Sequence, residues 1–289
     1  MSVIVNTDWQ SEPEIFIGTI TSLTEIPTEN KLPVLELTIE NSFETYQVVM
    51  FQPHSELQLT EIPDLAVQLV LWKGKPGAAV SRSDSVILLD SPYTLLHLPE
   101  SKLHYPDIPL DIEQFIEDCP QQALIEFVRR VLGRPSVGLR FMNAPMLERG
   151  YQTPGSLALH SLDVAMRSFD ACHGFTEEER WQTAIAGLLQ GVGRIELEGA
   201  AQTDPFKVVL KTLDMLSKEL DWLKETNREA ARMIQLVITS MHRIGKYDQP
   251  HPSAMTVQMA HIITDHLRSE RVNPATRYRT DSSSSPFTL

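Results

Sequence analysis

From Glu14 to about Tyr93 the apolar positions fall into short runs broken by turn residues. The runs are IFIGTITSL (15–23), PVLELTIE (33–40), ETYQVVMF (44–51), VQLVLWKG (67–74) and SVILLDS (85–91). Val34, Leu35, Leu37 and Ile39, then Tyr46, Val48, Val49 and Phe51, alternate with a rough period of two, the repeat of a strand with one buried face. Residues 28–31 and Asn41-Ser42 supply turns. Five strands in about 80 residues predict a small closed barrel of the OB type. Gly18, alone in the first run, is expected to mark a bulge.

Beyond residue 110 the period changes to that of helices. Pro120 stands where a first helical residue would, and Leu124, Phe127, Val128 and Val131 then share a face until Gly133-Arg134-Pro135 stops it. A helix follows from about Ser156 to Cys172. Thr176 with Glu179 forms a capping box for the next, which ends at Gln190-Gly191. Asp204-Pro205 opens another, with Phe206, Val209, Leu210, Leu213, Leu216 and Leu220 as its apolar face. Thr226 with Glu229 reads as a second capping box, for a helix carrying Met233, Leu236, Val237, Ser240 and Met241, and Ser253 as the cap of the last helix. The predicted class is therefore α+β. Residues 1–93 form an OB-like barrel, 94–110 a proline-rich linker, 111–272 a helical domain, and 273–289, ending in Thr-Asp-Ser-Ser-Ser-Ser-Pro, a disordered tail.

Charge narrows the function classes. The net charge is −13, and residues 1–100 hold 14 Asp and Glu against 4 Lys and Arg, a net of −10. Phosphate backbones are bound mainly through Lys and Arg, so the barrel is disfavoured as a nucleic-acid site. A protein partner with a basic surface suits it better. Phe16, Phe43, Tyr46, Phe51 and Trp72 have faces on which bases can stack, but filling the barrel is the preferred reading. Lys73 and Lys75 are the one local basic patch available for nucleic-acid or anion contact. No apolar run approaches the length of a membrane helix, and the start, MSVIVNTDWQ, has no signal-peptide pattern. Two cysteines, Cys119 and Cys172, make no disulfide framework, so the cytoplasm is the expected compartment.

Two phrases carry the candidate chemistry. One is Gly155-Ser156-Leu157-Ala158-Leu159-His160-Ser161-Leu162-Asp163-Val164-Ala165; the other is Gly187-Leu188-Leu189-Gln190-Gly191-Val192-Gly193-Arg194-Ile195. Together they resemble the HD superfamily of metal-dependent phosphohydrolases, whose phrases read like GGLLEHSLEVA and ALLHDIGKI. The resemblance spans roughly residues 105–272 and is specific only over 141–195. It points to two subgroups, the TraI-type (MobH) conjugative relaxase HD domains and the YhaM-like exoribonucleases, which also carry an OB domain before the HD domain.

The resemblance implies metal ligands at His160, at the His-Asp pair and at a late Asp, here Asp265 in MAHIITDHLRSE. The pair itself is replaced by Gln190 and Gly191. A neutral amide is a poor ligand for a transition metal, and glycine has no side chain to offer. The His-His pair that both subgroups carry before the first phrase is also missing; Gly150 and Tyr151 stand there. Arg194 takes the place of the family's usual lysine and keeps a cation for an anion, or for Glu196 or Glu198. His242 and His261, the latter one turn before Asp265, are the candidate replacement ligands.

No metal is therefore expected, and Mn, Fe or Zn only if the site is rebuilt. Three functions stay open. The first is a non-catalytic HD-fold scaffold or regulator in nucleic-acid processing or conjugative transfer. The second is a phosphohydrolase or nuclease with a rebuilt site. The third is an OB-type nucleic-acid-binding protein. The lost ligands favour the first over the second, and the acidic barrel favours it over the third.

Overall fold

The structure is a computed structural model that describes residues 13–26, 34–51, 66–72, 81–89, 94–146, 153–240 and 251–269. Lys73, Lys75, His242, Gly150, Tyr151 and the tail 273–289 lie outside these residues. By its contacts the chain divides into two units, Met1–Asn143 and Ala144–Leu289.

The first unit opens with the expected barrel. Strands β1 (Glu14–Ile26), β2 (Val34–Glu40), β3 (Thr45–Phe51), β4 (Ala66–Trp72) and β5 (Ser81–Leu88) close in the order β1-β2-β3-β5-β4. All pairings are antiparallel except β3 with β5. Period two does the sorting. Leu35, Leu37 and Ile39 from β2, and Val67, Leu69 and Leu71 from β4, point inward with Phe16, Ile20, Val48 and Met50.

Closure depends on the 13-residue β1, which pairs with β4 along its first half and β2 along its second. The irregularity that bends it falls between Ile20 and Ser22, not at Gly18 as expected. Gly18 serves close approach instead. A Cβ there would stand 2.8 Å from the Glu40 carbonyl oxygen and 2.8 Å from the Phe16 ring. Phe16 is buried and meets Tyr46 edge-on at 4.9 Å between ring centroids, so these two aromatics fill the barrel. Phe43 does not, being 65% exposed.

The segment expected as a linker is packed along its described part, 94–110. Its prolines suggested loose chain, but Leu95, Leu98, Leu103 and Ile108 are buried, and Pro109 sits in the first turn of α1 (Ile108–Glu117). The segment is pinned from several sides. Thr19 donates to the His97 carbonyl at 2.9 Å, Ser42 N–H to the Leu96 carbonyl at 2.8 Å, and Ser101 gives Glu40 bonds from both N–H and hydroxyl. Leu95 N–H donates to Glu113 of α1 at 2.8 Å, and Arg129 of α2 (Gln122–Leu132) donates to the same carboxylate at 2.6 Å. Buried Glu113 thus has both a cation and an amide, as a carboxylate out of water requires. His97 is also buried, which holds its pKa below the usual histidine value against the opposing pull of the Thr94 and Gly133 carbonyls.

Helix α3 (Pro135–Asn143) completes the unit. By contacts, the first unit thus includes three helices beyond the barrel and strap, α1 to α3. The reason is the apolar strap just described, which α1 joins through Glu113.

The second unit holds α4 (Ser156–Ala171), α5 (Glu177–Leu189), α6 (Pro205–Thr226), α7 (Arg228–Ser240) and α8 (Pro252–Ser269). Thr176 and Glu179 form the expected capping box in full. Asp204 caps α6 by accepting from the Phe206 and Lys207 amides. The second capping box does not form. α6 runs on through Thr226, whose hydroxyl donates back to the Trp222 carbonyl, and Asn227 caps α7 by accepting from Ala230 N–H at 3.1 Å. Ser253 lies inside the first turn of α8, and its N–H meets the His251 ring at 3.3 Å.

The face of α6 also differs from expectation. Phe206 and Leu210 are exposed, while Val208, Val209, Thr212, Leu216, Glu219, Leu220 and Leu223 are buried. Turning the helix this way takes the Thr212 hydroxyl into the core. On α7 Leu236 is likewise partly exposed, and Ala230, Ala231, Ile234, Val237 and Ile238 make the buried face.

Candidate functional site

Helix α4 is largely enclosed. Ten of its residues, from Ser156 to Ser168, are buried, and His160 among them is 2% exposed. The helix begins at Gly155, whose φ of 80° is open to glycine at little cost. Ser156 accepts from Met146 N–H at 2.8 Å, and Leu157 N–H donates to the Ala144 carbonyl at 3.1 Å. The Pro154-Gly155 step thus folds the approach chain back onto the first turn.

His160 meets α8. Its Nε2 lies 2.8 Å from Nδ1 of His261, with the rings perpendicular and their centroids 4.7 Å apart. His160 Nδ1 is 3.5 Å from Asp265 Oδ1, and His261 Nε2 is 3.4 Å from Asp265 Oδ2. His261 and Asp265 share a face because they are four apart on one helix. At 2.8 Å the two ring nitrogens are within hydrogen-bond distance, one donating and one accepting.

Gln190 and Gly191 stand close by. Gln190 caps α5, and Gly191 starts the turn that leads into the 3₁₀ segment Val192–Glu196. Both line a cavity of about 30 Å³ together with His160, His261, Ser161 and Arg194. That is room for a water or two. The space a side chain at position 191 would need is contested, since a Cβ there would come 3.1 Å from Leu157 Cδ1.

The turn itself is clamped to α6. Thr212 donates to the Gln190 carbonyl at 3.0 Å and accepts from Gly193 N–H at 3.0 Å. A Cβ on Gly193 would lie 2.3 Å from the Thr212 nitrogen and 2.6 Å from the Val208 carbonyl oxygen. Sequence reading picked out Gly193 only as part of a phrase. It missed Thr212, because a threonine on a helix carries no mark of the turn it holds.

The structure thus brings together His160, His261 and Asp265, and sets Gln190, Gly191 and Arg194 around one cavity beside the two histidines. At 190 it leaves only a neutral amide and at 191 no side chain, so these two residues do not fit the ligand set implied by the HD resemblance. His160, His261 and Asp265 do offer three ligand atoms within 4.8 Å of one another, the donor types of a two-histidine, one-carboxylate site. Among the described helices none is long and apolar enough to cross a membrane. The chain matches no family model, no curated protein and no solved structure.

Proposed function

We propose that this protein is a non-catalytic member of the HD-type fold, an OB-like barrel joined to a retired phosphohydrolase domain, that acts as a scaffold or regulator. The observation that carries this is the wall of the cavity beside His160. Where the family phrase has a His-Asp pair, Gln190 and Gly191 line the space, and Leu157 crowds the missing side chain. In this reading His160 and Asp265 are inherited positions that now tie α4 to α8. The strand order β1-β2-β3-β5-β4 supports the OB-like reading of the barrel. The net charge of −10 over residues 1–100 directs it to a basic protein partner, in nucleic-acid processing or conjugative transfer, rather than to a phosphate backbone.

A second reading is favoured by the convergence of His160, His261 and Asp265. In it these three hold one divalent ion, which would supply Lewis acidity. The full chain, assayed with Mn, Fe or Zn against nucleotides, RNA and single-stranded DNA, is expected to show neither hydrolysis nor stoichiometric metal. A metal content near one per chain that disappears in His261→Ala, with hydrolysis, would establish the second reading. Gln190→His with Gly191→Asp, and Leu157→Ala to clear the contact, is expected to create metal uptake. A folded variant that takes up none would remove the HD reading itself.

A further inference from the structure

The strap between the barrel and α1 carries a histidine whose two ring nitrogens both face carbonyl oxygens. His97 is 1% exposed. Its Nδ1 lies 2.5 Å from the Thr94 oxygen, and its Nε2 lies 2.5 Å from the oxygen of Gly133, the residue that ends α2. A carbonyl oxygen only accepts, and a neutral imidazole has one N–H to give. The neutral ring therefore donates to one carbonyl and turns a lone pair toward the other. The charged ring donates to both, but neither partner is a carboxylate, and the charge then stands out of water with no counter-charge bonded to it.

The same residue joins the strap to its surroundings. Its carbonyl accepts from Thr19 of β1, which holds the strap to the barrel. Its ring reaches the other way, to the end of α2. Leu95 and Leu98 on either side are fully buried, and a Cβ on Gly138 of α3 would come 3.2 Å from Leu98 Cδ1. The charged groups of the packed elements are engaged with other partners. Glu113 of α1 accepts from Leu95 N–H and from Arg129 of α2, Arg130 of α2 donates to Glu126, and Glu40 of β2 accepts from Ser101. Arg134, next to Gly133 in the chain, is a cation and opposes a second one. On the strap itself Glu100 and His104 are exposed. Burial is the larger influence on the ring proton and the two carbonyls oppose it, so the balance keeps the attached ring neutral.

We propose that His97 is a pH-sensitive pin: its neutral ring locks the strap onto the end of α2, and protonation lets the strap come away. Charging an enclosed ring costs more than a second hydrogen bond to a neutral carbonyl returns. Once released, the ring regains water and its ordinary value of 6.5. The attached strap thus holds a proton less readily than the released one. Release takes up a proton, so attachment is complete above about 6.5 and weakens as the pH falls below it. Release uncovers Leu95 and Leu98, an apolar pair now sealed between barrel and helices. The device lies within the first unit and is independent of the cavity chemistry and of the HD reading.

Amide hydrogen exchange on the full chain between pH 7.5 and pH 5.5, corrected for intrinsic exchange rates, tests it. Protection of residues 95–103 is expected to fall severalfold, to a limit of about tenfold for one proton, while β2 and β4 keep theirs. His97→Gln, which keeps a side-chain donor but does not titrate, is expected to show no such step, and His104→Gln to show the wild-type step. Ring titration of the wild type by NMR is a second readout that needs no variant, and the His97 midpoint is expected below that of exposed His104. Strap protection that does not change with pH overturns the proposal. So does the same step in His97→Gln, an equal loss in the barrel strands, or a His97 midpoint at or above that of His104.

Discussion

Gly193 is the residue on which the site's backbone depends. Its N–H and the Gln190 carbonyl both use the Thr212 hydroxyl, and the α6 backbone lies where a Cβ would go. Gly193→Ala would have to push α6 away or break that clamp. Overpacking of this kind costs about 2 kcal/mol or more, and the obstacle is backbone, which does not yield as a side-chain tip does. Gly174→Ala is the control, because nothing lies within 4 Å of its added Cβ. Urea unfolding is expected to show the large loss for position 193 and a change within about 0.5 kcal/mol for position 174. Equal losses at the two positions would discount the clamp. The glycine was legible in the sequence phrase; the reason for it was not, because Thr212 is nineteen residues away.

At the scale of elements, caps decide where helices begin, and the sequence gives two similar signals with different outcomes. Thr176 and Glu179 cap α5 as their spacing predicts. Thr226 and Glu229 have the same spacing, but α6 continues through Thr226 and Asn227 takes over. Asn227 serves both helices. Its N–H donates to the Leu223 carbonyl at 2.6 Å, and its side chain accepts from Ala230 N–H. Packing of Leu220 and Leu223 into the core keeps α6 helical past the point where the box would have ended it. Asn227→Ala is therefore expected to cost about 1 kcal/mol, and Thr226→Ala less than about 0.5 kcal/mol, by thermal or urea unfolding. The reverse order would return the cap to Thr226.

For the whole molecule the question is where one unit ends. The sequence placed the break in the prolines of 94–110, but that strap buries Leu95 and Leu98 and shares Glu113 with α1 and α2. A fragment ending at Asn143 is expected to fold cooperatively with both strand and helix signals. A fragment ending at Pro106 lacks α1 and α2, and with them Glu113 and Arg129, which hold the strap. It is expected to unfold at much lower urea or to aggregate. Equal stability of the two fragments would put the boundary back before α1.

Local pattern was enough for the barrel and for α4, α5 and the start of α6, because period two, helical spacing and a cap each act over a few residues. The same local chemistry marked Gln190-Gly191 and the pairing of His261 with Asp265, one turn apart. Only the tertiary structure decided what those residues meet. It brought His160 on α4 to His261 and Asp265 on α8, across 101 residues of chain in the case of the two histidines. It also turned α6 to spend Thr212 on the 190–193 turn and drew the proline-rich strap into the first unit. These outcomes depend on which surfaces different elements bury against one another, and no short window of sequence contains both partners.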